Sequence, residues 1–147
     1  MNLILENTSQ VKYFTNMVEV FSALKIRCAE YDWYVSDIET NGYSIAEGWY
    51  SGDVLESLIH SSDVQFIWAV LSAFSVGTRF EVIIDPYIYD NPAYWDGSNP
   101  GPQLKEALFE IGCWDSSATI LVGITPEMAK SFKSTYSDAT ELENTSK

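Results

Sequence analysis

The sequence predicts a single α+β domain: a mixed, largely antiparallel sheet of about six to seven strands with three helices. Three observations lead there. Short apolar runs rich in β-branched and aromatic residues recur between turn-forming residues, the pattern of strands and hairpins. Three stretches carry apolar residues three or four apart behind a capping residue, the pattern of helices. The resulting order, β-α-β-β-α-β-β-loop-β-β-α, does not alternate strictly, which argues for helices gathered mainly on one face of a hairpin-rich sheet. With 147 residues, 46% of them hydrophobic, and no repeat or linker, the chain can close one core without a metal or disulfide. That domain is expected over residues 1–136, with 137–147 a polar, fraying tail.

Asn2–Glu6 reads as a first strand. Asn7, Thr8 and Ser9 offer N-caps, and Val11, Phe14, Met17, Val18, Phe21 and Leu24 then trace one stripe of a helix of about four turns. Lys25 and Arg27 stand at its end, where positive charge suits the macrodipole. Tyr31–Glu39 is a strand with Trp33 and Val35 on one side and Asp32, Tyr34 and Ser36 on the other. Asn41-Gly42 marks a turn, and Ala46–Tyr50 is the returning strand. Ser51 caps a short second helix with Asp53 in its first turn, Leu55, Leu58 and Ile59 inside, and His60 near its end.

Val64–Phe74 is the longest run without a charge, Gly or Pro that is rich in β-branched and aromatic residues. It is apolar on both faces, so it belongs inside the sheet with cover on both sides. Gly77 leads to a short strand at Phe80–Ile84. Asp85–Pro102 holds four of the five prolines and reads as a long irregular segment, a place where function concentrates. Ala107–Trp114 and Ala118–Ile124 form a hairpin across Asp115-Ser116-Ser117. Thr125-Pro126-Glu127 starts a third helix with Met128, Phe132 and Tyr136 on its inner face.

Charge narrows the function. Eight Lys and Arg face twenty-one Asp and Glu, a formal net charge of −13, and between Cys28 and Lys105 the one Lys or Arg is Arg79 against twelve acids. Such a surface repels phosphate backbones and anionic membranes, so neither nucleic acid nor membrane is an expected partner. It attracts basic proteins and speeds their encounter. The N-terminus carries no signal-peptide pattern and no stretch reaches transmembrane length without polar interruption, so a cytoplasmic location is expected. Cys28 and Cys113 are distant in sequence and outside any Cys-x-x-Cys motif, which predicts two buried free thiols.

Chemistry is thinly represented. A single His and two distant Cys do not make a zinc set, Asp96-Gly97-Ser98-Asn99 lacks calcium-loop spacing, and no phosphate-binding glycine loop is present; no cofactor or metal is expected. A small hydrolase or transferase using His60 or Cys113 is the enzymatic alternative. What stands out instead is acid interleaved with aromatics. Five Trp, nine Tyr and seven Phe exceed the needs of one small core. Trp33, Trp49, Trp68 and Trp114 fall in predicted elements and are expected inside, leaving the rings of the long segment for the surface. The candidate partner-binding residues are therefore Asp32, Tyr34, Asp85, Tyr87, Tyr89, Asp90, Tyr94, Trp95 and Asp96, rings to fill an interface centre and acids to pair with Lys or Arg.

Trp33–Glu39, Trp49-Tyr50-Ser51-Gly52, Gln65–Phe74 and Cys113–Ser117, in this order, resemble a small acidic bacterial family of uncharacterised cytoplasmic proteins. That family is similar in type to the immunity proteins of polymorphic toxin and contact-dependent growth inhibition systems. The likeness spans Tyr31 to Tyr136. It implies a non-enzymatic inhibitor that neutralises a cognate toxin domain, such as a basic nuclease, by direct contact; it implies no catalytic residue.

Overall fold

The computed structural model describes residues 1–144. Seven strands form one sheet in the order β3-β2-β4-β5-β6-β1-β7: β1 Leu3–Glu6, β2 Asp32–Thr40, β3 Gly48–Ser51, β4 Phe66–Phe74, β5 Phe109–Trp114, β6 Ala118–Val122 and β7 Thr140–Glu141. Every pairing among the described residues is antiparallel. Three helices, α1 Met17–Leu24, α2 Gly52–Ser61 and α3 Pro126–Thr135, complete the α+β fold.

The register explains the core. Val35, Leu71, Ile111, Leu121 and Leu3 lie side by side across five strands, all fully buried. This apolar row faces the helices, joining Met17, Phe21 and Leu24 of α1, Leu55 and Ile59 of α2, and Met128 and Phe132 of α3 in one cluster. One residue along each strand the pattern flips, as the pleat requires. There Ser36, Val70, Gly112, Ile120 and Ile4 form the adjacent row on the opposite face. Among the described residues, none from the three helices joins the cluster on that face. Ile88, Tyr94 and Trp95 from the segment between β4 and β5 close over it, forming a second cluster with Val70, Ile120 and Val122.

β4 lies inside the sheet between β2 and β5, as its two apolar faces demand; the central position belongs to β5. α2 starts as the sequence indicates, with the Ser51 hydroxyl accepting from Val54 N at 3.3 Å. Gly52 is obligatory at this point, since a Cβ would sit 2.3 Å from the carbonyl oxygens of both Cys28 and Tyr31. α3 begins at the Thr125 cap, whose hydroxyl accepts from Met128 N at 3.1 Å. The hairpin between β5 and β6 turns on Asp115 and Ser116, both at positive φ (49° and 54°), the backbone hand that matches strand twist.

Four expectations are corrected. α1 does not begin after Asn7–Ser9 but at Met17, because Asn16 caps it by accepting from Val18 N at 3.1 Å. Ahead of it Thr15 adopts φ 64° and its hydroxyl donates to Phe66 O, so the chain is tied to β4 where a helix was expected. Val11 and Phe14 still reach the core from this loop, which is why their spacing mimicked a helix. Phe80–Ile84 is not a strand: among the described residues it joins none of the seven strands, and Phe80 is held singly, its carbonyl accepting from Trp49 Nε1 at 3.0 Å. Asn41-Gly42 opens a seven-residue connection, residues 41–47, and not a tight turn. Residues 137–144 do not fray: Thr140 and Glu141 pair with Ile4 and Leu3, and Ala139 and Leu142 are buried. The rest of the expected tail, 145–147, lies outside the described residues.

Candidate partner-binding surface

The segment from Ser75 to Leu108 is irregular apart from a turn of 3-10 helix at Pro92–Tyr94. Without a ladder, its backbone must find partners singly. β2 supplies two. Asp37 sits at φ 54° where the β2–β4 register shifts, and its Oδ2 accepts from Ile88 N at 2.8 Å and Tyr89 N at 2.9 Å. Ser36 Oγ donates to Pro86 O at 2.7 Å. Farther on, Gln103 receives Tyr87 N at 3.0 Å and returns its Nε2 to Tyr87 O at 2.9 Å. Near the end, Asn2 Nδ2 donates to Pro100 O at 2.6 Å.

The deepest fastening is ionisable. Glu110, fully buried on β5, accepts from Tyr94 OH at 2.7 Å and from Gln103 N at 2.8 Å. Burial raises its carboxyl above the usual range, against the opposing pull of those two donors. Burial, then the adjoining Glu110, raises the Tyr94 phenol as well, so it remains a donor at neutral pH.

These fastenings sort the candidate residues. Tyr94 and Trp95 are buried beneath the segment, so they are core and not partner surface. Asp32 is also buried; its Oδ2 accepts from Gly77 N at 3.1 Å and Arg79 Nε at 3.3 Å, which spends it inside the fold. Tyr34 is half-buried and donates to Asp85 Oδ1 at 2.5 Å. Burial, followed by that carboxylate, pushes the Tyr34 phenol up to about 12. Asp85, Tyr87, Tyr89, Asp90 and Asp96 are exposed, and Asp96 accepts from Ser98 N at 2.9 Å in a local turn. The expectation for the indoles is partly reversed: Trp33 is fully buried, Trp49, Trp68 and Trp114 are only half-buried, and the loop residue Trp95 is inside.

Sequence reasoning missed the most exposed apolar residues of this segment. Ile83 and Ile84 are each 80% exposed, between the acids Glu81 and Asp85. Phe80 holds one end of this short run, its carbonyl accepting from Trp49 Nε1 at 3.0 Å and its ring 5.4 Å from that indole. The Asp85 bond to Tyr34 holds the other. The run itself carried no signal of this exposure: its apolar, β-branched pattern is that of a strand, and its lack of a pairing partner shows only in the sheet.

The residues of the enzymatic alternative lie on the helix side. Cys113 is fully buried on β5, and burial raises its thiol; Cys28 is buried and its thiol is pushed up to about 12 by the same cause. His60 is exposed on α2 beside an open cleft of about 380 Å³ that Arg27, Asp53, Glu56 and Ser57 also line. Glu56 is engaged there by Arg27 Nη2 at 2.9 Å and Ala29 N at 3.0 Å. Among the described residues no group of three His, Cys, Asp or Glu is placed to hold a metal ion, and no helix is long and apolar enough to cross a membrane. In comparisons with protein-family models, curated proteins and solved structures, nothing matches this chain.

Proposed function

We propose that this chain is a non-enzymatic binding protein, an immunity protein that neutralises a toxin domain bearing a basic surface, such as a nuclease. The observation that carries the reading is the outward side of the segment between β4 and β5. It sets Ile83, Ile84, Tyr87 and Tyr89 in the open among Glu81, Asp85 and Asp90, while its inward side is fastened to the sheet. Exposed apolar side chains on a well-held segment mark interaction sites more often than isolated surface residues do. The acids around them favour encounter with Lys and Arg, and a fixed backbone lowers the ordering cost of binding.

The test is co-expression with a toxin domain, should the gene adjacent to this chain's encode one. Cells are expected to survive, and the two proteins to form a stable complex whose association slows as salt rises. Glu81→Lys with Asp90→Asn should slow association and flatten the salt dependence. Asn is chosen because Asp90 sits at φ 58°, a conformation Asn tolerates. Survival without complex formation, or association indifferent to both substitutions, would refute the mechanism.

A further inference from the structure

The hook that Asp37 throws around the Ile88 and Tyr89 amides has a second result. It lays the Tyr89 ring against Trp68, centroids 5.1 Å apart and planes at 78°. Two aromatic walls at nearly a right angle bound an open cleft of about 290 Å³, and Asp37, Ile38 and Glu39 supply its remaining side. Glu39 pairs directly with Trp68 across the β2–β4 ladder, so carboxylate and indole are neighbours on the sheet. The ion pairs of the described residues, Arg27–Glu56, Arg79–Asp32 and Lys133–Glu141, leave Glu39 and Asp37 out.

The same molecule shows what fills a corner of this composition. Beside β3, the Arg79 guanidinium lies 5.9 Å from the Trp49 ring centroid while its Nε reaches Asp32 at 3.3 Å. Indole and carboxylate there hold a guanidinium between them. Trp68 and Glu39 repeat the pair on the neighbouring strands, with Tyr89 added and Arg79 already committed elsewhere. A planar, weakly hydrated cation is the group such a corner suits: the negative ring faces attract it and the carboxylate binds its N–H groups.

We propose that the Trp68–Tyr89–Glu39 corner is a binding site for a guanidinium group, the side chain of an arginine presented by a partner protein. That the partner is a toxin rests on the reading above; the affinity of the corner for guanidinium does not. A ligand with a free carboxylate is disfavoured, because Asp37 and Glu39 repel it.

The test uses the full chain and acetyl-arginine-amide, followed by the Trp68 indole N–H resonance, with free arginine and the neutral isostere acetyl-citrulline-amide alongside. The capped arginine should give a saturable shift at Trp68, free arginine a weaker one, and the citrulline analogue none. Glu39→Gln and Tyr89→Ala, both altering exposed side chains, should each weaken binding by about two- to fivefold. The proposal is overturned if the shift grows linearly without saturating, if citrulline matches arginine, or if neither substitution weakens binding. Tighter binding of free arginine would overturn the assignment to a protein partner. A saturable site in a chain that protects against no toxin would sink the immunity reading and leave this one standing. Toxin neutralisation unaffected by Glu39→Gln and Tyr89→Ala, with no saturable site, would do the reverse.

Discussion

Tyr94→Phe removes one oxygen from the joint that fastens the irregular cover to the sheet. The ring stays, so no cavity opens and its place in the cluster over the sheet is kept. What is lost is the 2.7 Å bond to the fully buried Glu110 carboxylate, and with it the 2.7 Å bond that Gln103 Nε2 makes to the same hydroxyl. Gln103 Nε2 keeps Tyr87 O as an acceptor, so its loss is small. Glu110 keeps only Gln103 N. A buried hydrogen bond contributes about 0.5–1.5 kcal/mol to a neutral acceptor and about 1.5–3 kcal/mol to an ionised one, so the substitution should cost about 1–3 kcal/mol at pH 7. Urea unfolding followed by tryptophan fluorescence should show the midpoint fall by roughly 1–2 M.

The cost should also depend on pH, and its sign follows from burial. Glu110 has its carboxyl raised in the folded state, so the folded chain takes up that proton more readily than the unfolded one. Its contribution to stability is therefore full below the unfolded carboxylate range, near about 4.3, and declines as pH rises through the folded value. The Tyr94 bond opposes the rise, so Tyr94→Phe moves the folded value higher still. On acidification to about pH 4 both proteins bury a neutral carboxyl, and the difference should shrink to about 1 kcal/mol. Self-repulsion of the −13 charge is common to both chains and cancels. A loss under about 0.5 kcal/mol at pH 7, or an equal loss at both pH values, would show that the joint does not carry this charge.

Four other outcomes follow from the same structure. Trp33→Ala should cost about 3–5 kcal/mol by thermal or urea unfolding, because this fully buried ring packs on Phe21 and Phe109 and its Nε1 donates to Cys28 O at 2.9 Å. Gly52→Ala should destabilise by more than about 2 kcal/mol, since its methyl collides with two backbone carbonyls that cannot rotate away. Both thiols should resist an aromatic disulfide reagent in the folded protein and react only as fast as the chain opens; rapid labelling of either would restore the thiol-based enzymatic alternative. Ile83→Ser with Ile84→Ser should leave unfolding within about 0.5 kcal/mol of the parent and, on the proposed function, abolish partner binding; a large stability loss would mean those side chains serve the fold.

The sheet was legible wherever a strand's pattern is set by its own two faces. β4 announced itself by being apolar on both, and β2 by Trp33 and Val35 alternating with Asp32, Tyr34 and Ser36. The start of α1 was not legible. Val11 and Phe14 touch the core from a loop, so the apolar spacing is real while the helix is not, and the choice of Asn16 over Asn7–Ser9 is made by Thr15 reaching β4 fifty-one residues away. β7 was hidden for a related reason: Thr140 and Glu141 are polar residues recruited by the open edge of β1, and their sequence carries no strand signal.

The candidate surface shows the same limit more sharply, because one irregular segment does two jobs with neighbouring residues. Tyr87 and Tyr89 point out while Ile88 between them is fully buried, its Cδ1 only 2.7 Å from where a Cβ on Gly112 would stand. Tyr94 and Trp95 go in and Asp96 goes out. Composition cannot separate these roles, since Tyr appears in both. What separates them is the row of the sheet beneath: Gly112 opens a socket for Ile88, and Glu110 offers an acceptor to Tyr94. The inward residues therefore set the position of the outward ones. Asp37 places Tyr89 on Trp68 by holding its amide, not its ring. On the proposed function, loosening the inward joints should weaken partner binding even where no contacting side chain has changed, so that stability of the cover and affinity of the surface would fall together.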